Sequence, residues 1–209
     1  MKVKEGREQD FERAWHEIAE RARHVPGNVR QTLMRDPDDD SAYVITTEWQ
    51  SADAYRRFEV SPEQDELTRP LRELRESARQ AVFDIVADVE SDEAQPAAAP
   101  PAKEKGRVVF VIRLKPGAQE EFLRAYESIR YEVAQGVRGH IVDQVCQSPD
   151  DPEEWLITSE WESLDDFLAW ERTEGHREQA RPLRECMAEA RSLKYVVREE
   201  TSGPQAGDG

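Results

Sequence analysis

The sequence predicts an α+β fold built from two related units in one chain, and three observations predict it. First, phrases recur at one spacing: TTEW at 46–49 returns as TSEW at 158–161, RPLRE at 69–73 returns at 181–185, and Pro37-Asp38-Asp39 returns as Pro149-Asp150-Asp151. Second, each copy alternates β-type runs and helical stripes in the order β-α-β-β-α-β, the ferredoxin-like split βαβ arrangement. Third, a stretch rich in Ala, Pro and charge at 91–106 separates the copies and reads as a flexible linker. The repeated unit of roughly 90 residues is a small domain rather than a solenoid repeat. The expected organisation is therefore 1–90 for the first domain, 91–106 for the linker, 107–200 for the second domain and 201–209 for a disordered tail.

The second copy shows the elements in full. RVVFVIRL at 107–114 is β-branched and predicts a strand, and Pro116-Gly117 a turn. Phe122, Ala125, Tyr126, Ile129 and Val133 fall on one helical stripe, as do Phe11, Ala14, Trp15, Ile18 and Ala22 in the first copy. Residues 141–147 form a second strand, 148–154 an acidic hairpin connection and 155–161 a third strand. That third strand places Trp155, Ile157, Ser159 and Trp161 on one face, where the first copy has Tyr43, Ile45, Thr47 and Trp49. Ser163 with Asp166 predicts a helix N-cap, followed by a helix to about 172 and a break at 173–175. A second helical piece with Pro182 near its start follows, and 193–198 is the last strand.

Such a unit leaves one sheet face bare of helices, and that face must be covered. The two copies are expected to cover each other as an intramolecular dimeric α/β barrel. Met1 aligns with Ile112, so the first copy lacks counterparts of Arg107 to Val111. The expectation is either a start set too late or a short strand rescued by its neighbours.

Composition bounds the function. The chain of 209 residues has a formal net charge of -16, which argues against a phosphate-backbone partner. No apolar run approaches the roughly 20 residues of a membrane span, and no signal peptide precedes the first copy. Cys146 and Cys186 match Met34 and Leu74, so they read as apolar packing residues in a reducing, cytoplasmic protein.

At this point the residues resemble the antibiotic biosynthesis monooxygenase family. The shared pattern is a strand, Lys-x-Gly, an amphipathic helix, a strand ending in Glu-Trp, a Ser opening the next helix, and a helix leading to a His. The resemblance spans both copies. It implies ferredoxin-like units paired into barrels, and cofactor-independent oxygenases that convert phenolic polycyclic intermediates of aromatic polyketides to quinones. It implies no cofactor, and a small aromatic substrate and molecular oxygen as partners. Nucleic acid and membrane are not among the partners, and a homodimer of the fused pair is compatible with it.

The family's histidine falls at His176 of EGHREQ, where the first copy has Gln64. His176 is thus the candidate general base, able to deprotonate a phenol and leave an anion rich enough to donate an electron to O2. Its plainer reading is an exposed helix-start histidine. Trp161, Trp155, Trp170, Trp49 and Tyr43 are candidate walls of an aromatic slot, or else core aromatics at strand ends. Tyr126 can offer its hydroxyl to a substrate oxygen, or simply pack like its counterpart Trp15. Arg181 can hold a phenolate or carboxylate, or serve an ion-paired helix start. Asn28 and His140 follow matched glycines and can hydrogen-bond a ligand, or serve the loop. Two rivals stand beside the oxygenase. One is a non-catalytic small-molecule-binding or structural barrel. The other is a heme-binding relative, for which Trp170 fits but the strand Val108 to Arg113 lacks the Asn and the histidine register is displaced.

Overall fold

The computed structural model describes residues 1–90 and 104–204, with backbone alone at 131–135. The expected linker, apart from 104–106, lies outside the described residues. The fold is α+β, as expected, and divides into two compact units. One unit is Met1–Gln80 with the segment from Val197 onward; the other is Ala81–Val196.

Unit 1 contains β1 (Lys2–Val3), α1 (Glu8–Ala22), β2 (Asn28–Asp36), β3 (Asp39–Trp49), α2 (Ala52–Glu59), α3 (Pro62–Leu74) and β4 (Arg75–Ser77). Its helix α1 buries Phe11, Trp15, Ala19 and Ala22, a spacing that puts them on one face. They pack on Val3, Leu33, Tyr43, Leu71 and Leu74. Unit 2 contains β5 (Asp84–Glu90), β6 (Gly106–Leu114), α4 (Gln119–Gly136), β7 (His140–Gln147), β8 (Glu154–Trp161), α5 (Leu164–Glu171), α6 (Glu174–Gln179), α7 (Arg181–Cys186) and the first part of β9 (Met187–Ser202). Ile112, Leu114, Phe122, Tyr126, Val145, Trp155, Leu183 and Cys186 form its larger core. Val108, Trp161 and Phe167 form a smaller one.

The helix start predicted at Ser163 is capped, and so is its counterpart in unit 1. Ser163 accepts from the backbone N–H of Asp166, and its counterpart Ser51 accepts from that of Ala54. Cys146 and Cys186 are buried thiols outside any disulfide, and their counterparts Met34 and Leu74 are buried too, so all four act as packing residues. The helix after the third strand differs between copies. In unit 1 α3 runs through Pro70, whereas in unit 2 the matching stretch breaks at Ala180 into α6 and α7.

The compact units do not end where the repeats end. In unit 2 the strand order is β9-β6-β8-β7-β5, so the last strand of the first repeat, β5, pairs with β7. In unit 1 the order is β4-β1-β3-β2, with the far end of β9 beside β2. Each sheet is thus completed by a strand from the other repeat, which removes one open edge from each. The expectation of a disordered tail from 201 is corrected here. Thr201 and Ser202 belong to β9, Thr201 is buried, and the Gly203 N–H donates to the Val29 carbonyl at 2.9 Å. Residues 205–209 lie outside the described residues.

The short first strand is also visible. β1 meets β3 at Lys2 opposite Ala42, and the chain's amino terminus donates to the Tyr43 carbonyl at 2.8 Å. In unit 2, β6 pairs with β8 from Gly106 opposite Trp161 to Arg113 opposite Glu154. Trp161 is 0% exposed, while its counterpart Trp49 is partly exposed. Among the described residues no helix is long and apolar enough to cross a membrane.

Phe122 is fully buried in the larger core of unit 2. Phe122→Ala is expected to lower the unfolding free energy by about 3–5 kcal/mol in urea titrations. Val60→Ala, at a residue 81% exposed, is expected to change it by less than about 0.5 kcal/mol.

Candidate functional site

Alternation along β8 sends Trp155, Ile157, Ser159 and Trp161 to the helix-covered face of unit 2. At the end of the strand the Trp161 indole N–H donates to the Ser159 hydroxyl at 2.9 Å. Trp49 does the same with Thr47 at 3.1 Å in unit 1. Two glycines let the chain close over this end. Gly139 adopts φ +79°, and a Cβ there would meet the Asp166 side chain at 2.8 Å. Gly106 passes so close to the start of α5 that a Cβ would lie 2.6 Å from the Leu164 nitrogen.

Around Trp161 stand three aromatic rings. Phe167 meets it edge-on at 5.4 Å, Trp170 lies tilted at 5.3 Å, and the His140 ring stands T-shaped at 5.2 Å. His176 then contacts Trp170, with ring centroids 4.2 Å apart. Such tilted and edge-on pairs suit aromatic quadrupoles and hold a rigid wall. Lys194 places its ammonium 5.5 Å over the Phe167 ring and 3.2 Å from the Glu171 carboxylate.

His176 sits at the third position of α6, whose N-cap Thr173 accepts from the His176 backbone N–H at 3.2 Å. Ser61 and Gln64 reproduce this cap in unit 1 at 3.1 Å. The local backbone is therefore the same in both copies, and the difference is the imidazole itself. Its pKa lies below the ordinary 6.5, first because burial penalises the cation, then because Arg184 is nearby; Glu171 opposes in part. The ring is accordingly neutral at neutral pH, the state a general base requires.

The structure brings three expected site residues together: His176, Trp170 and Trp161. Trp155 is 1% exposed in the larger core, edge-on to Phe122, and its indole donates to the Pro152 carbonyl at 2.8 Å. Tyr126 is buried in that same core with no hydrogen-bond partner on its hydroxyl. Arg181 is exposed at the start of α7. Trp49 and Tyr43 belong to unit 1. Trp49 stacks on Phe58 at 5.1 Å, and Tyr43 donates to the Glu12 carboxylate at 2.9 Å. Sequence reading passed over Phe167 and Asp143 as site residues, and offered His140 as a ligand contact or a loop residue, where the structure places it at the start of β7. The signal for His140 was present in the matched pairs Gly27-Asn28 and Gly139-His140, both glycines having positive φ. A cavity of about 410 Å³ lies elsewhere in unit 2, along β6, β8 and β9, with Arg113, Glu154, Glu189 and Arg191 in its lining.

The lowered pKa of His176 carries a sign. The unfolded chain takes up the proton at higher pH than the folded one, so stability is full above about 6.5 and falls as pH drops below it. His176→Gln is expected to lose less stability than the wild type between pH 7 and pH 5, read from unfolding curves at each pH.

The family model for antibiotic biosynthesis monooxygenase matches residues 1–69 and 106–181, well over half of the chain. A 42.8 kDa protein in the whiE locus of Streptomyces coelicolor is 47% identical over 103 residues, 49% of this chain and 26% of that protein. The polyketide synthase CurD of Streptomyces cyaneus is 41% identical over 97 residues, 46% of this chain and 26% of that protein. The matched stretch thus spans about a quarter of the length of these relatives. Among solved structures, a candidate monooxygenase from Fusobacterium nucleatum superposes with a TM-score of 0.77 at 13% identity, covering 96% of this chain and 90% of that one. An anthrone oxidase-like protein superposes with a TM-score of 0.71 at 18% identity, covering 98% and 91%. At these identities the likeness is one of fold.

Proposed function

Since this chain belongs to the antibiotic biosynthesis monooxygenase family, we propose that it is a cofactor-free monooxygenase of secondary metabolism acting on a phenolic, polyketide-type aromatic, with its chemistry in unit 2. The observation that carries this reading is the half-buried imidazole of His176 against the Trp170 indole at 4.2 Å, where burial disfavours its cation. The Streptomyces relatives support the metabolic setting, since one is named for a polyketide synthase.

In this reading His176 accepts the phenolic proton. The phenolate, far richer in electrons than the phenol, passes one electron to O2, and the resulting radical and superoxide combine at a ring carbon. Loss of water from the hydroperoxide leaves a carbonyl. One oxygen atom enters the product, the other leaves as water, and the substrate supplies all four electrons. Trp170, partly exposed beside His176, offers the aromatic face against which the polycycle can lie, with Trp161 and Phe167 buried behind it.

The test is O2 uptake by the purified protein with an anthrone-type phenol. His176→Ala is expected to reduce kcat by about 10²-fold or more. Unchanged turnover in that variant removes His176 as the base. Ligand binding with no O2 uptake by the wild type makes the protein a binding module.

A further inference from the structure

In unit 2 the sheet ends on one side at β9, which pairs inward with β6 and lies beside β2 only at its far end. Along this edge Ala188, Glu189, Ala190, Arg191 and Ser192 are all exposed. An edge strand presents outward N–H and C=O groups, and proteins commonly keep them from pairing with bulges and charged side chains. β9 carries both. A register shift against β6 lies between Arg113 and Leu114, beside Ala188, and Glu189 and Arg191 supply the charges. Those charges are opposite in sign and two residues apart, which changes what they do.

Alternation puts Glu189 and Arg191 on one face, with Arg113 and Val111 of β6 opposite them in register. Ile112, between those two β6 residues, belongs to the helix-covered core, so Glu189 and Arg191 stand on the face that the helices leave bare. The cavity of about 410 Å³ lies here, with Glu154, Arg113, Glu189 and Arg191 in its lining. Across the strands Glu154, Arg113 and Glu189 run negative, positive, negative. A further strand continues that alternation when it sets a cation opposite Glu189 and an anion opposite Arg191. Among the described residues Arg191 has no ion-pair partner, in a chain whose formal net charge is -16.

β9 itself is such a strand. Laid antiparallel against a second copy with Ala190 opposite Ala190, it sets Glu189 of each copy opposite Arg191 of the other. Centring the pair on Glu189 or on Arg191 instead puts like charges face to face, which is destabilising. Ala190 and Ser192, on the other face, are small and place no bulk in the seam. We propose that β9 is a docking edge for a second copy of this chain, joined antiparallel about Ala190 through two Glu189–Arg191 pairs, so that the two unit 2 sheets become one. The contact is isologous and closes at two copies. It is also short, because the register shift beside Ala188 ends the regular strand, so its affinity is modest. The inference goes beyond the oxygenase reading and does not depend on it.

Sedimentation velocity of the whole chain over a concentration series tests it. The wild type is expected to pass from monomer to dimer below about 1 mM. Arg191→Glu and Glu189→Arg each set like charges across the seam and are expected to raise the dimer Kd about tenfold or more. Mixed in equal amounts, the two variants regain opposite charges at both pairs and are expected to form a heterodimer with nearly the wild-type Kd. Both side chains are exposed, and urea unfolding curves check that each variant keeps the wild-type fold. A wild type that stays monomeric throughout overturns the proposal. So does a dimer that both variants leave intact, since it uses another surface, and so does a mixture of folded variants that remains monomeric.

Discussion

Residues Gly106 to Arg113 of β6 pair with β8 along its whole length, and that ladder decides which side chains of β8 face the helices. With β6 in place the indole of Trp161 is sealed from water, and α5 can close over it through Gly106. Phe167, Trp170 and His140 then have a fixed partner to pack on. In the first copy the matching Trp49 is partly exposed and packs on Tyr55 and Phe58. The rigidity of the aromatic wall is thus a property of sheet pairing before it is a property of the aromatic residues.

The two copies share backbone devices and differ in chemistry. Positive-φ glycines, serine caps, the register irregularity early in the second strand and the threonine or serine cap before the last helical stretch recur in both. What differs is what those devices present. His176 corresponds to Gln64, His140 to Asn28, Asp143 to Gln31 and Tyr126 to Trp15 in the repeat. Amides and indole keep the packing and drop the titratable protons. A buried ionisable group costs several kcal/mol unless something offsets it.

Charge adds a further constraint. On the proposed function, a chain with formal net charge -16 would repel an ionised phenolate over long range and favour approach of the neutral phenol. The proton is then best removed inside the site, by a base that is uncharged there. His176 meets this condition because burial and Arg184 both disfavour its cation. Lys194, over Phe167, supplies the nearby positive charge that an anion formed on the wall would meet.

Much of this was legible in the sequence by itself. The recurrence of TTEW and RPLRE established two copies, alternation from Trp155 to Trp161 established the helix-facing side of β8, and Ser163 with Asp166 marked the start of α5. These are local or periodic properties, set by backbone geometry that each residue carries with it. Tertiary structure alone decided three things. Val197 to Ser202 continue β9 into the other unit rather than fraying, because their hydrogen-bond partners lie far away in sequence. Trp155 went to a core with Phe122 while Trp161 went to His140 and Trp170, though both stand on the same strand face. And a single irregularity in register turned His140 towards Asp143, a reversal that no count of residues predicts, because a bulge is chosen by how two strands meet and not by either strand alone.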